Sequence, residues 1–161
     1  MEIDAEAWRQ RFYAAVGHVA VNWAGIELLL DLLVLKGRLQ LSGGDNWLKH
    51  QLAEKISTVR TQILPRLAGE LQSRLVRIVN EIERLSTIRN QLIHGAVIID
   101  RGIDDPDQII TFATMLQPRK KTRRPPLRAK ISQLQDLAEE IDQLYGELLG
   151  LFPNGGFKLL S

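Results

Sequence analysis

The segment from Arg89 to Gly95, which reads Arg-Asn-Gln-Leu-Ile-His-Gly, contains the residue types in this chain that could best do chemistry. A guanidinium stays charged and binds carboxylates or phosphates, and a histidine exchanges a proton near neutral pH. On an ideal helix Arg89 and His94 project about 140° apart, whereas Asn90 and His94 share a face. The segment therefore combines an anion-binding group with a proton-transfer group at one predicted helix end.

Arg89 is unusual because it falls on the apolar stripe of its helix. The other positions of that stripe recur every three or four residues, as is typical of a core-facing helix, and they are Leu71, Leu75, Ile78, Ile82, Leu85 and Leu92. A guanidinium on the buried side needs a partner that offsets its desolvation. Glu27 and Asp31 flank the apolar stripe of the first helix. We therefore expect Glu27 or Asp31 to pair with Arg89, which would keep both groups ionised.

Four amphipathic helices are predicted to position this segment. The first runs from about Asp4 to Lys36, a second begins at Asp45 or Asn46, and a third ends near His94 with Gly95 as its C-terminal cap. A fourth helix completes the chain. The inward positions of the first, second and fourth helices are predicted as Phe12, Val16, Val19, Trp23, Ile26, Leu30 and Leu33; as Leu48, Leu52, Ile56, Val59 and Ile63; and as Leu134, Leu137, Ile141, Leu144, Leu148 and Leu151.

Short runs of branched residues between the third and fourth helices predict a β-hairpin over about 96–116, with strands at 96–100 and 109–116. A basic, proline-containing linker over about 117–130 follows it. The predicted fold class is all-α, a four-helix-type bundle with a small β-hairpin inserted between the third and fourth helices. A length of 161 residues with 45% hydrophobic content fits a single domain over 1–161.

Several kinds of site are excluded or disfavoured by composition. The chain has no cysteine, which excludes disulfides, thiolate metal sites and cysteine nucleophiles. His18, His50 and His94 lack the four-residue spacing of a zinc-binding helix, so we expect no metal and no cofactor. No glycine-rich phosphate loop and no serine nucleophile elbow is present.

The amino-terminal sequence and the most apolar run favour a soluble, cytoplasmic protein. The chain begins with acidic residues where a signal peptide would be basic. The apolar run from Val19 to Leu35 contains Asn22, Glu27 and Asp31, which are costly inside a bilayer. We therefore expect no membrane association.

The formal net charge is only +2, but the positive charges are concentrated near the predicted linker. The basic residues of this cluster are Arg119, Lys120, Lys121, Arg123, Arg124, Arg128 and Lys130. One interpretation is a solvated, extended linker. The other is an arm that binds the phosphates of a nucleic acid with strongly salt-dependent affinity.

The string Arg89-Asn90-Gln91-Leu92-Ile93-His94 resembles the Arg-x4-6-His motif, often with a polar residue after the arginine, of the HEPN superfamily of helical-bundle ribonucleases and their inactive relatives. Its placement near the end of a late helix in a bundle matches that family as well. Glu27 is similar to the family's supporting polar position. The resemblance covers most of the chain in architecture and six residues in motif.

The resemblance implies metal-independent cleavage of RNA in a cleft shared by a homodimer, in which the 2′-hydroxyl attacks the neighbouring phosphorus. His94 would act as general acid or base and Arg89 would stabilise charge on the phosphate, with Asn90, Glu27 and Asp31 in supporting roles. The basic cluster would hold RNA. The family also implies a possible toxin or defence role with an antitoxin or another protein partner.

Two other functions remain open. The main alternative is a non-catalytic dimeric helical module that binds RNA or a protein partner, with Arg89 as a structural ion-pair member. The other is DNA binding through the basic cluster alone, which would be independent of His94.

Overall fold

The computed structural model describes residues 4–39, 51–98, 105, 107–114 and 125–152, with the backbone alone for 37–39 and 114. Its helices and strands are α1 (Ala5–Leu39), α2 (Leu52–Thr58), α3 (Gly69–His94), β1 (Gly95–Ile98), β2 (Ile110–Thr114), β3 (Leu127–Ala129) and α4 (Ile131–Leu149). The structure is mostly helical, with a three-stranded antiparallel sheet between α3 and α4. The predicted fold class is therefore confirmed.

Helix α1 begins where the Asp4 carboxylate accepts hydrogen bonds from the backbone N–H groups of Glu6 and Ala7 at 2.9 and 3.1 Å. Its predicted inward positions are buried except Val16, which is half-buried. Over Ala5–Lys36 the helix is long and apolar enough to cross a membrane. This is weak evidence for a span, because core helices of water-soluble proteins and signal sequences have the same length and composition.

The second predicted helix is represented by α2, which starts at Leu52; Asp45, Asn46 and Leu48 lie outside the described residues. After Thr58 the chain widens into a π-helical turn over Val59–Ile63 and then a short 3-10 turn over Leu64–Arg66. Of the predicted apolar face, Ile56, Val59 and Ile63 are buried. A 4-3-4 spacing does not distinguish a π turn from regular α-helix, so the sequence did not predict this turn.

The apolar stripes of α3 and α4 are confirmed. In α3 the side chains of Leu75, Ile78, Ile82, Leu85 and Leu92 are buried, and Leu71 is half-buried. All six inward positions predicted for the last helix are buried. Helix α3 starts at Gly69, whose φ of 61° places it in the left-handed region that favours glycine.

The sheet has the strand order β1-β2-β3, and its central register aligns Val97 with Phe112 and Phe112 with Leu127. The predicted hairpin corresponds to β1 and β2. Assigning all of 117–130 to a linker was wrong, because Leu127–Ala129 forms the third strand. Three residues between Pro126 and Lys130 are too few to show the alternation from which a strand is predicted.

The chain divides into two compact units, and the single domain expected over 1–161 stays a prediction. Unit 1 comprises Met1–Val21 and Leu85–Asp142, and unit 2 comprises Asn22–Arg84 and Gln143–Ser161. In unit 1, Phe12 stacks on Trp8 and on Phe112, with ring centroids 5.7 and 6.2 Å apart. In unit 2, Trp23 and Leu30 are fully buried. The Arg89 to His94 segment belongs entirely to unit 1.

Candidate functional site

The junction between α3 and β1 positions the end of the Arg89 to His94 segment. Helix α3 ends at His94, as predicted, and β1 begins at the next residue. Gly95 directly follows the last residue of α3, the position predicted for its C-terminal cap, and its φ lies outside the left-handed region. A Cβ at Gly95 would instead overlap the carbonyl oxygen of Gln91 and lie 3.1 Å from Cβ of Phe112. Glycine is therefore favoured mainly because the backbone at Gly95 passes close to the Gln91 carbonyl, and secondarily because it packs against Phe112 of β2.

The arginine and the histidine of the segment have different environments. Arg89 is half-buried, and its Nη1 donates a hydrogen bond to Oδ1 of Asn90 at 3.0 Å. His94 is exposed, as are Asn90 and Thr87 on the same edge of α3. The end of the helix thus presents a restrained guanidinium and a solvent-accessible imidazole, separated by five residues along the chain.

Gln91, to which the sequence assigned no role, connects α3 to the segment that leads into β3. Its Nε2 donates a hydrogen bond to the carbonyl oxygen of Pro125 at 2.8 Å. Pro125 directly follows the basic run 119–124 in the sequence. The chain that leaves this run therefore reaches the motif helix at Gln91. No sequence pattern could have paired two positions 34 residues apart.

Most of the basic cluster lies outside the described residues, namely Arg119, Lys120, Lys121, Arg123 and Arg124. Arg128 is described: it is exposed in β3 and aligned with Thr111 of β2. Since the neighbouring Ile110 and Phe112 are buried, Arg128 and Thr111 occupy the outward face of the sheet. Arg128 is thus available for an anionic ligand.

Asp107, predicted as turn material, anchors the start of β2 to the first turn of α4. Its Oδ1 accepts a hydrogen bond from the backbone N–H of Ser132, and its Oδ2 accepts one from the Ser132 hydroxyl, both at 2.9 Å. The Lys130 ammonium is 3.6 Å from Oδ2. The pKa of the Asp107 carboxyl is lowered from its ordinary value of 3.8, mainly because the carboxylate accepts the backbone hydrogen bond from Ser132.

Glu27 and Asp31, the supporting acids expected from the sequence, belong to unit 2. The indole Nε1 of Trp23 donates a hydrogen bond to Oε1 of Glu27 at 2.7 Å. The ammonium of the buried Lys55 lies 2.6 Å from Oδ1 of Asp31. The sequence did not identify Lys55 as a partner of Asp31. The pairing of Glu27 or Asp31 with Arg89 stays a prediction.

Within the described ranges, no three histidine or acidic side chains cluster in a way that could hold a metal ion. Comparisons with protein-family models, with curated proteins and with solved structures found no match. Within the described residues, Arg89, Asn90 and His94 place an anion-binding group and a proton-transfer group at the end of α3, and Gln91 links that end to the chain before β3.

Proposed function

We propose that this protein is a metal-independent endoribonuclease of the HEPN type. The observation that carries the proposal is the arrangement at the end of α3, where a half-buried Arg89 is hydrogen-bonded to Asn90 and followed by the exposed His94. This is the part of the chain that resembles the HEPN motif. The exposure of His94 supports the proposal, because a proton-transfer group must reach the substrate.

In the proposed reaction, one imidazole accepts the proton of the RNA 2′-hydroxyl as its oxygen attacks the adjacent phosphorus. The bond from phosphorus to the 5′-oxygen breaks, and a second, protonated imidazole donates a proton to the leaving oxygen. The products are a 2′,3′-cyclic phosphate and a 5′-hydroxyl. Arg89 stabilises the charge that develops on the non-bridging oxygens.

Two imidazoles are needed, whereas each chain supplies one at this position. A two-fold homodimer that shares a cleft would provide a base from one copy and an acid from the other. Arg128 and the basic run 119–124 would bind the RNA backbone beside the cleft. The hydrogen bond from Gln91 to Pro125 supports this role, since it ties the chain after the basic run to α3.

The test compares wild type, His94→Ala and a matched control, His18→Ala, on mixed RNA in excess EDTA. His18 is also an exposed helical histidine, but it lies on α1. We expect wild type and His18→Ala to cleave RNA, and His94→Ala to lose about 10²- to 10⁴-fold in rate. Equal cleavage by His94→Ala would contradict the proposal. Salt-dependent RNA binding without cleavage would favour the non-catalytic module instead.

A further inference from the structure

Tyr13 on α1 is an exposed aromatic residue in a unit whose other described aromatic residues are buried. Its side chain is 66% exposed, whereas Trp8, Phe12 and Phe112 of unit 1 are buried. Single exposed apolar side chains are normal on protein surfaces, so the position of this ring matters more than its exposure.

The ring of Tyr13 is held by an aromatic row, which consists of Trp8, Phe12 and Phe112. It lies 5.5 Å from the ring of Phe12, with the two planes tilted by 52°. The Phe12 ring is fixed in turn, because it stacks on the rings of Trp8 and Phe112. A ring that is already positioned loses little side-chain entropy when a ligand binds. Tyr13 therefore presents a restrained aromatic surface to solvent.

The aromatic row also joins Tyr13 to the end of α3. Phe112 packs against the junction that follows His94, where a Cβ at Gly95 would lie 3.1 Å from Cβ of Phe112. Two ring contacts, of Phe112 with Phe12 and of Phe12 with Tyr13, separate this junction from the exposed ring. All of these residues belong to unit 1. A bound single strand commonly covers about 4–16 nucleotides, which is long enough to contact both Tyr13 and His94.

The positions one helical turn before and after Tyr13 supply a cation and leave open space. At Gly17 a Cβ would have no atom within 4 Å, so the surface beside the ring is not filled. Arg9 pairs with Glu6 at 3.5 Å, but their side chains are 54% and 67% exposed. An exposed ion pair of this kind is weak, so Arg9 is able to turn to a phosphate group. The surroundings of Tyr13 suit a planar ligand that carries a negative charge beside it.

We infer that Tyr13 binds an unpaired nucleobase of the RNA by stacking on it. A tyrosine ring stacks on any unpaired base, whereas the bases of a duplex are already stacked on their neighbours. The inference rests on the proposed function, from which it takes RNA as the ligand, and it adds that the RNA is unpaired where it crosses α1. Tyr13 is a binding residue and takes no part in proton transfer.

The first test measures binding of a 2′-O-methylated single strand of mixed sequence, which the proposed reaction does not cleave, by fluorescence anisotropy. It compares wild type, Tyr13→Ala, Tyr13→Phe and the matched control Leu28→Ala, which truncates another exposed side chain of α1. We expect Tyr13→Ala to weaken binding about tenfold, and the other two variants to bind within about twofold of wild type, because they keep the ring of residue 13. The salt dependence of binding should be the same in all four proteins, since no phosphate contact is lost.

The second test uses strands in which one base is replaced by an abasic site. At the contacted position, the abasic site should weaken binding by wild type about tenfold and should have little effect on binding by Tyr13→Ala, because the stacking partner is then already missing. The fully paired duplex should bind wild type and Tyr13→Ala equally.

The inference would be overturned if wild type did not bind the single strand, or if Tyr13→Ala bound it as tightly as wild type did. It would also be overturned if Tyr13→Phe lost as much affinity as Tyr13→Ala, or if Tyr13→Ala lost as much affinity for the duplex as for the single strand. Cleavage is a separate readout. Binding that depends on Tyr13 in a protein without cleavage would contradict the proposed reaction alone, and cleavage with binding independent of Tyr13 would contradict this inference alone.

Discussion

Among the described residues, the ion pair of Lys55 with Asp31 and the Arg89 to His94 segment both lie beside or on the apolar stripe of a helix, and they differ in how far their groups are exposed. In unit 2 the ammonium of Lys55 is buried and lies 2.6 Å from the carboxylate of Asp31. In unit 1 the segment from Arg89 ends in a histidine that faces solvent. The carboxylate of Asp31 is paired with Lys55 and largely shielded from solvent, whereas the imidazole of His94 at the end of α3 is exposed.

This difference distinguishes a structural polar group from a candidate catalytic one. A buried ion pair is expensive to break because the remaining charge is left without a partner in a poorly solvated site. An exposed histidine can be removed at little cost to the fold, so any loss of activity would then report chemistry. His94 was predicted as general acid or base and Asp31 in a supporting role; His94 is exposed, whereas Asp31 is half-buried against Lys55.

The largest effect on stability is expected for Lys55→Ala. It leaves the Asp31 carboxylate in a largely buried site and should lower the free energy of unfolding by about 3 kcal/mol. Arg60→Ala is the matched control, because Arg60 pairs with Glu83 at 2.8 Å with both side chains exposed, and it should cost less than about 1 kcal/mol. Urea unfolding measures both. If His94→Ala lowered the free energy of unfolding as much as Lys55→Ala, the distinction between a structural ion pair and an exposed, non-structural histidine would be contradicted.

A smaller but substantial effect is expected for Gly95→Ala at the junction of α3 and β1. The added Cβ would overlap the Gln91 carbonyl oxygen, which should cost about 1–3 kcal/mol. Gly146→Ala is the control, since a Cβ there has nothing within 4 Å and an exposed helical glycine should gain up to about 1 kcal/mol. Thermal unfolding of the two variants should shift in opposite directions. Equal shifts would show that the tight packing at Gly95 is unimportant.

Gln91→Leu tests whether the hydrogen bond at the end of α3 positions the basic run for RNA, because it should change RNA affinity more than stability. It removes the 2.8 Å hydrogen bond to Pro125 and should cost about 0.5–1.5 kcal/mol in stability at most. If the bond positions the basic run for RNA, KM should rise several-fold with kcat nearly unchanged, and the salt dependence of RNA binding should become shallower. An unchanged KM and salt slope in an active enzyme would assign Gln91 a purely structural role.

The smallest effect is expected for Asp107→Asn, which keeps an acceptor for Ser132 but removes the charge. The pKa of Asp107 is lowered in the folded protein, so its ionised form stabilises the fold at pH values above 3.8, and this contribution is lost as the pH falls through the lower folded value. We expect a loss of about 0.5 kcal/mol at pH 7 that shrinks below pH 3.8. Unfolding at several pH values measures it, and a constant difference at every pH would contradict the assignment.

The helices could be predicted from the sequence because their apolar positions repeat over several turns. The six inward positions predicted for the last helix are all buried, five of them in α4 and Leu151 just after it, and α3 ends at His94 as expected. Periodicity over many residues averages out local ambiguity, which is why long stripes are reliable. The exposed polar edge formed by Asn90 and His94 follows from the same periodicity.

The features that were missed depend on contacts between distant parts of the chain. Gly95 was predicted as a C-terminal cap, but the sequence does not reveal that a Cβ there would overlap the Gln91 carbonyl oxygen and crowd Phe112 of β2. Strand β3 was hidden by its length and by the neighbouring prolines. The pairing of Lys55 with Asp31 and the hydrogen bond from Gln91 to Pro125 join positions far apart in the sequence. A single amino-acid sequence does not indicate which distant residues contact each other.

The most direct test of the central claim is to identify the ends of the RNA fragments made by wild-type protein in excess EDTA, using one RNA sequence and its fully 2′-O-methylated counterpart. We predict cleavage of the unmodified RNA alone, with 2′,3′-cyclic phosphate and 5′-hydroxyl ends, because the 2′-hydroxyl is the nucleophile. Cleavage of both substrates, or fragments with 5′-phosphate ends, would contradict attack by the 2′-hydroxyl with proton transfer by His94.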